Sequence, residues 1–185
     1  MPLRISGGEF KGHRIDSPKP GRGIRPTTEK VKLALFSIIG PSFMERCRVL
    51  DLYSCSGALG IESLSRGAES AVFVEKLRRN CALIKKNLRT LGIEDKGMVI
   101  NSTVKRFLDS SSERFDFVIL DPPFDHNEWE NDMSSIGNGF VLEPDGFVVG
   151  EHRSGLNLKD CYGRLKKHSS RRYGGSILSI YKVVN

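Results

Sequence analysis

The sequence predicts an α/β protein: a mostly parallel, doubly wound sheet with an antiparallel edge and a small N-terminal β-hairpin extension. Three observations carry this expectation. Between residues 47 and 152, short apolar runs alternate with segments of helical periodicity, the order that builds a parallel sheet covered on both faces. From residue 161 onward two extended runs follow one another without a helix between them, which adds antiparallel strands. At the other end, LRISGGEFKGHRID reads as two short extended pieces around a glycine-rich turn.

The elements follow in order. SPKPGRGIRP is rich in Pro, Gly and Arg and is a loop. TTEKVKLALFSIIG places Val31, Ala34, Leu35, Ile38 and Ile39 on one helical face, with Thr27 or Thr28 as cap and Gly40-Pro41 as stop. CRVLDLY is a strand, ALGIESLSRG a helix and SAVFVE the second strand. KLRRNCALIKKNLRTLG is amphipathic, with Cys81, Leu83, Ile84, Leu88 and Leu91 on its apolar face. MVIN, VKRFLDS and FDFVIL supply a strand, a short helix and a fourth strand. HNEWENDMSSIGNGFVL is helical in part, and GFVVGEH is a fifth strand. The tail, CYGRLKKHSSRRYGGSILSIYKVV, reads as two strands joined by a polar, basic turn.

A chain of 185 residues is one ordinary domain, large enough to bury a core without disulfides. The four cysteines, Cys47, Cys55, Cys81 and Cys161, form no C-x-x-C pair, and the histidines lack ligand spacing. Reduced thiols in a cytoplasmic protein, with no metal, are therefore expected. No apolar run reaches membrane-spanning length, and MPLRISGGEF lacks the apolar core of a signal peptide. Charge is strongly patterned. The balance is +5 over residues 1–32, −5 over 33–151 and +7 over 152–185. Two basic flanks around an acidic centre suggest a polyanion held by the ends of the chain. Composition alone does not choose among DNA, RNA and an anionic membrane.

Three ligand-type features fall at the ends of the first, second and fourth strands, where open α/β sheets bind their ligands. DLYSCSGALG, from Asp51, is a glycine turn leading into a helix. It fits neither the P-loop nor G-x-G-x-x-G; what remains is G-x-x-G at Gly57 and Gly60. Glu75 ends the second strand, where an acid accepts both hydroxyls of a ribose, or alternatively complements the dipole of the next helix. ILDPPF ends the fourth. Pro122 and Pro123 stop the strand with an acid before them and the Phe124 ring after. Taken alone this corner is either a proline turn with Phe124 in the core, or a clamp. As a clamp, Asp121 and the Pro122 carbonyl accept two N–H bonds from an exocyclic amine and free its lone pair, while Phe124 stacks on the base.

With these residues in hand, the chain resembles the bacterial 16S rRNA guanine-N2 methyltransferases of the RsmD type, S-adenosylmethionine enzymes of the Rossmann-like class I fold. RISGGEFKG, RGIRPTTEKVKLALFSI, DLYSCSGALGIESLSRGA, VFVEK, ILDPPF and RRYGGSILSIY occur in the family's order and spacing. RGIRPTTEKV is the most specific of these, whereas DPPF is shared with many amino-group methyltransferases. The resemblance implies a basic extension over residues 1–26 and a methyltransferase domain over 27–185. It implies that Arg25, Pro26, Thr27 and Thr28 close the cofactor pocket, that Asp51, Ser54, Ser56, Gly57 and Gly60 line its amino-acid end, and that Glu75 holds the ribose beside Lys76. Thr103 and Val104 lie near the adenine, and Asp121 to Phe124 hold the target guanine. Arg4, Lys11, Arg14 and Arg22 in the extension, with Arg171, Arg172 and Tyr173 in the tail, would meet the rRNA of the small ribosomal subunit, the chain acting as a monomer. RRYGGS also reads as a plain turn with solvated arginines.

Two departures bear on this expectation. The family reads F-A-G-S-G where this chain has Tyr53-Ser54-Cys55-Ser56-Gly57. If position 55 needs a positive φ, its side chain costs roughly 1–2 kcal/mol, which weakens cofactor binding. Thr103 stands where the family has Asp or Asn. Two other readings share the motifs: a DNA adenine-N6 methyltransferase, which the absence of an obvious target-recognition domain counts against, and an RNA-binding assembly factor that lost catalysis through Cys55.

Overall fold

The structure is a computed structural model that describes residues 2–18 and 29–184. Two short strands, β1 (Leu3–Arg4) and β2 (Arg14–Ile15), pair antiparallel. Helix α1 (Glu29–Ile39) and the single turn α2 (Pro41–Met44) precede β3 (Arg48–Leu52). Then come α3 (Ala58–Ser65), β4 (Ser70–Glu75), α4 (Arg78–Leu91), β5 (Gly97–Asn101) and α5 (Val104–Ser110). β6 (Phe115–Leu120), α6 (Trp129–Asn138) and the long β7 (Leu142–Arg153) follow. β8 (Cys161–Tyr162), β9 (Leu165–Tyr173) and β10 (Ser176–Val183) complete the order.

Among the described residues, eight strands form the main sheet in the order β5-β4-β3-β6-β7-β10-β9-β8. The five from β5 to β7 run parallel. β10 lies antiparallel between β7 and β9, and β8 antiparallel on β9. After β3 the chain builds outward to β5, then returns to place β6 on the other side of β3. The carboxyl ends of β3 and β6 thus flank a topological switch point, where a crevice opens.

Alternation along each strand builds two cores. Val49, Phe73, Phe117, Ile119 and Val149 face α1, α3 and α4. Leu50, Leu52, Val74, Val118 and Leu120 face α5 and α6. The stripe expected on α1 holds: Val31 and Leu35 are buried, and Ala34, Ile38 and Ile39 pack on the same core. Thr27 and Thr28, its expected caps, lie outside the described residues. Gly40 ends α1 as expected, and Pro41 then opens α2.

The N-terminal strands rest on this body. Ile5 and Ile15 belong to the first core. Glu62, wholly buried in α3, accepts the Ser6 amide at 2.9 Å and the Ser6 hydroxyl at 2.7 Å. The Lys32 ammonium lies 2.8 Å from the same carboxylate and the Arg66 guanidinium 2.9 Å. Asn87 of α4 exchanges two bonds with the Asp16 backbone and donates a third to the Ser56 carbonyl. One buried amide thereby ties the extension to the loop after β3.

The tail corrects one expectation. Its basic residues do not form the turn: Lys166 to Arg172 run inside β9, and the turn is Gly174-Gly175. The antiparallel edge holds three strands, because the two-residue β8 pairs with the start of β9.

Candidate functional site

A cleft of about 1130 Å³ opens at the carboxyl ends of β3, β4 and β6. Asp51, Ser54, Ser56, Glu75, Lys76, Thr103, Val104, Asp121, Pro122, Pro123 and Phe124 all line it. Residues far apart in sequence meet there because each follows, or ends, a parallel strand whose register is fixed by its neighbours.

The loop after β3 is built around two acids. Asp51 is buried and accepts the Gly60 amide at 2.9 Å, which draws the start of α3 onto the strand end. Ser54 donates its hydroxyl back to the Asp51 carbonyl at 2.5 Å. Burial pushes the Asp51 carboxyl up to about 7; the Gly60 amide pulls against this and the Glu75 charge adds to it. Glu75 accepts the Cys55 amide at 2.9 Å on one oxygen and the Leu77 amide at 2.8 Å on the other. Each oxygen keeps a second acceptor position, so the carboxylate is both held and able to accept from a ligand.

Gly57 and Gly60 do not line the cleft; they shape it. Gly57 has φ 77°, and Gly60 passes so close to β4 that a Cβ would collide with the Phe73 ring. Position 55 does need a positive φ: Cys55 sits at 52° and Tyr53 at 63°. Each costs roughly 1–2 kcal/mol. Burial pushes the Cys55 thiol up to about 11, helped by the charges of Glu75, Asp121 and Asp51.

On the opposite wall stand Asp121 to Phe124. Pro122 is buried and Pro123 exposed, while Asp121 and Phe124 are half-buried. The His126 amide donates to the Pro123 carbonyl at 2.9 Å and closes a tight turn behind the corner. Thr103 caps α5, its Oγ1 accepting the Arg106 amide at 3.3 Å. Val104 is buried beneath it.

The residues assigned to a polyanion lie outside the cleft. Arg4, Lys11 and Arg14 are exposed on the extension. Arg171 and Arg172 are exposed near the end of β9, and Tyr173 packs partly on the first core. Because Ser176 pairs with both Tyr173 and Arg153, the β9–β10 turn stands at the same end of the sheet as the cleft. Arg22, Arg25, Pro26, Thr27 and Thr28 lie outside the described residues.

Sequence reasoning missed one cluster in the wall. The Tyr53 hydroxyl donates to Asp132 Oδ2 at 2.6 Å, and His126 Nε2 lies 2.8 Å from the same oxygen. Burial and the adjoining Asp132 push the Tyr53 phenol well up. The one signal in the chain was a tyrosine where F-A-G-S-G begins with phenylalanine.

A glycine turn, two acids and a proline-stiffened corner, set at the switch point of a parallel sheet, define a Rossmann-like α/β enzyme of the methyltransferase class. Known proteins agree. The chain belongs to the family described as conserved hypothetical protein 95, which matches residues 3–182. YlbH of Bacillus subtilis, provisionally named an rRNA methyltransferase, is 36% identical over 183 residues, 97% of this chain and 98% of that protein. The ribosomal RNA small subunit methyltransferase D of Escherichia coli is 34% identical over 149 residues, 80% of this chain and 71% of that protein. The solved structure of Escherichia coli yhhF, provisionally named a methyltransferase, matches with a TM-score of 0.88 at 27% identity, covering 99% of this chain and 98% of that one.

Proposed function

We propose that the protein methylates the exocyclic N2 amino group of a guanine in 16S rRNA, using S-adenosylmethionine, as a cytoplasmic monomer. The observation that carries this reading is that the Glu75–Asp51 end and the Asp121–Phe124 corner line one cleft at the switch point. The residues fit the donor. Its ribose diol suits the Glu75 carboxylate, held by two amides yet able to accept more. Asp51, Ser54 and Ser56, with the turn that Gly57 and Gly60 shape, receive the amino-acid end; the family resemblance assigns Arg25, Thr27 and Thr28 to the same pocket. Lys76, Thr103 and Val104 border the adenine.

When bound, S-adenosylmethionine supplies an electrophilic methyl group on sulfur. The rest falls to the protein. A guanine N2 is a poor nucleophile because its lone pair is delocalised into the ring. Asp121 and the Pro122 carbonyl accept hydrogen bonds from its two N–H groups, draw the nitrogen towards tetrahedral geometry and stabilise the positive charge that develops as the N–C bond forms. The proton then lost from the nitrogen passes to the Asp121 carboxylate or to solvent. Two prolines fix the acceptors in advance, and Phe124 stacks on the splayed base. Residues 1–26, with Arg4, Lys11, Arg14 and Arg22, and the rim residues Arg171, Arg172 and Tyr173, hold the rRNA while residues 27–185 carry the chemistry.

The test is transfer of labelled methyl from S-adenosylmethionine to small ribosomal subunits lacking the modification, with the label mapped by nucleoside analysis. N2-methylguanine in 16S rRNA is expected. Label in adenine, or in DNA, or no transfer from a folded protein, would overturn the reading.

A further inference from the structure

We infer that Tyr53, Asp132 and His126 form a latch that positions the cofactor loop against the acceptor corner; the catalytic part of this inference rests on the methyltransferase reading. The three come from separate pieces of the rim. Tyr53 follows β3, His126 follows β6, and Asp132 sits in the first turn of α6. A single oxygen, Asp132 Oδ2, receives the Tyr53 hydroxyl at 2.6 Å and faces His126 Nε2 at 2.8 Å. Asp132 is 4% exposed, so both bonds are made to a carboxylate withdrawn from water, where they are stronger than at the surface. The Tyr53 and His126 rings meet edge to face at 5.0 Å, and Trp129 backs His126 at 5.8 Å.

What the latch joins is specific. Through its own amide, His126 closes the turn on the Pro123 carbonyl, one residue from the Pro122 carbonyl that accepts the amine. Tyr53 adjoins Ser54 and Cys55, whose amide is held by Glu75. The bonds to Asp132 therefore connect the wall that holds the methyl donor to the wall that holds its acceptor. The cofactor side needs such a restraint. Tyr53 at φ 63° and Cys55 at φ 52° are both non-glycine residues in the left-handed region, a conformation that persists only where the surroundings over-determine it. Tyr53, His126 and Asp132 are thus positioning residues. They need touch neither substrate to set the distance between them, and small errors of placement are expensive in rate.

The test is Tyr53→Phe, which keeps the ring and removes one hydroxyl, made alone and together with Cys55→Gly, which relieves the strain. Hydrogen exchange is followed at the backbone amides of positions 55 and 126 without donor or RNA, and kcat and KM are measured on small subunits. Tyr53→Phe is expected to speed exchange at both amides and to lower kcat about tenfold, with KM for the RNA unchanged. In the Cys55→Gly background both effects are expected to shrink to about threefold or less. Faster exchange in one loop only, or the same fold-loss in both backgrounds, would mean the hydroxyl is a local packing contact and would overturn the latch. Exchange reads the latch without turnover, so a protein that transfers no methyl would refute the functional reading and leave this one to be decided by exchange.

Discussion

Glu62 and Asp51 are both buried carboxylates in contact with α3, and the molecule satisfies them in opposite ways. Glu62 takes two cations, Lys32 and Arg66, and two donors from Ser6. Burial alone would raise its pKa, but the Lys32 ammonium and the Ser6 donors outweigh it and hold the carboxyl below its ordinary value. Asp51 takes the Gly60 amide and borders the cleft; burial wins and carries it up to about 7. Among the described residues no ion pair reaches Asp51 or Glu75. The first acid is closed, and its work is to pin the extension and α1 to the core. Among the described residues the second is held by the Gly60 amide, which keeps it in place without spending its capacity for a ligand. The closed acid and the open one thus stand within one helix of each other.

The largest effect should come from opening the closed acid. Glu62→Ala leaves the Lys32 ammonium buried without its counter-ion, and breaking a buried pair in this way costs about 3–5 kcal/mol. Urea denaturation should show that loss, while methyl transfer per folded molecule stays within a few-fold of the parent. A loss under about 1 kcal/mol would mean that Lys32 finds water or another acceptor, and that the junction is not the anchor described.

On the open side, Asp121→Ala should do the reverse. Removing one preorganised acceptor at a site of developing charge lowers kcat by about 10²–10³, and the unfolding midpoint should barely move because Asp121 ends a strand instead of filling a core. Near-normal turnover would remove the clamp from the mechanism.

The same contrast has a signature in pH. Asp51 is raised on folding, so the folded state holds a proton that the unfolded chain has released between about pH 4 and 7. Its contribution to stability is full below that window and declines as pH rises through it. Glu62 is lowered, so its contribution is present above the ordinary carboxylate range and is lost as pH falls below it. Asp51→Asn should therefore flatten the decline in stability between about pH 4 and 7, on the order of a few kcal/mol, and leave the acid limb intact. Thermal unfolding midpoints across pH 3–8 would show this, and an unchanged slope would mean that water reaches Asp51.

These contrasts also explain what could be read from the chain. The parallel strands, the acids that end them and the DPPF corner were legible because each signal is local, and the fold places all carboxyl strand ends on one rim. Lys32, Asn87 and Asp132 were not. A buried lysine inside an apolar stripe looks like an ordinary surface cation until Glu62, which lies on another helix, is known. The bond from Tyr53 to Asp132 joins residues 79 positions apart, and nothing local to either one signals the other. β9 was misread as a turn for a different reason. Among the described residues β8 covers only Leu165 and Lys166, so the rest of β9 has an open edge. Such an edge tolerates charge on both faces, and lysine or arginine there discourages pairing with another chain, which is why the apolar alternation that marks a strand was missing.

That same edge gives the smallest and most discriminating test. Arg171 and Arg172 stand beside the β9–β10 turn, level with the end of β7 and so with the cleft. Arg172 Nε donates to the Gly174 carbonyl at 3.0 Å, which fixes the turn while its side chain stays exposed. If both arginines contact phosphates, Arg171→Glu with Arg172→Glu should weaken rRNA binding about tenfold. It should also reduce the slope of log affinity against log salt by about 1.4–1.8, the counter-ions of two contacts. The parent and variant should differ most at low salt and converge as salt rises. A weakened complex with an unchanged slope would mean that the substitution disturbed the turn instead of removing phosphate contacts, since only counter-ion release carries the salt dependence. In that case the basic extension, with Arg4, Lys11 and Arg14, would be left to hold the RNA, and the same slope measured on Arg14→Glu would show it.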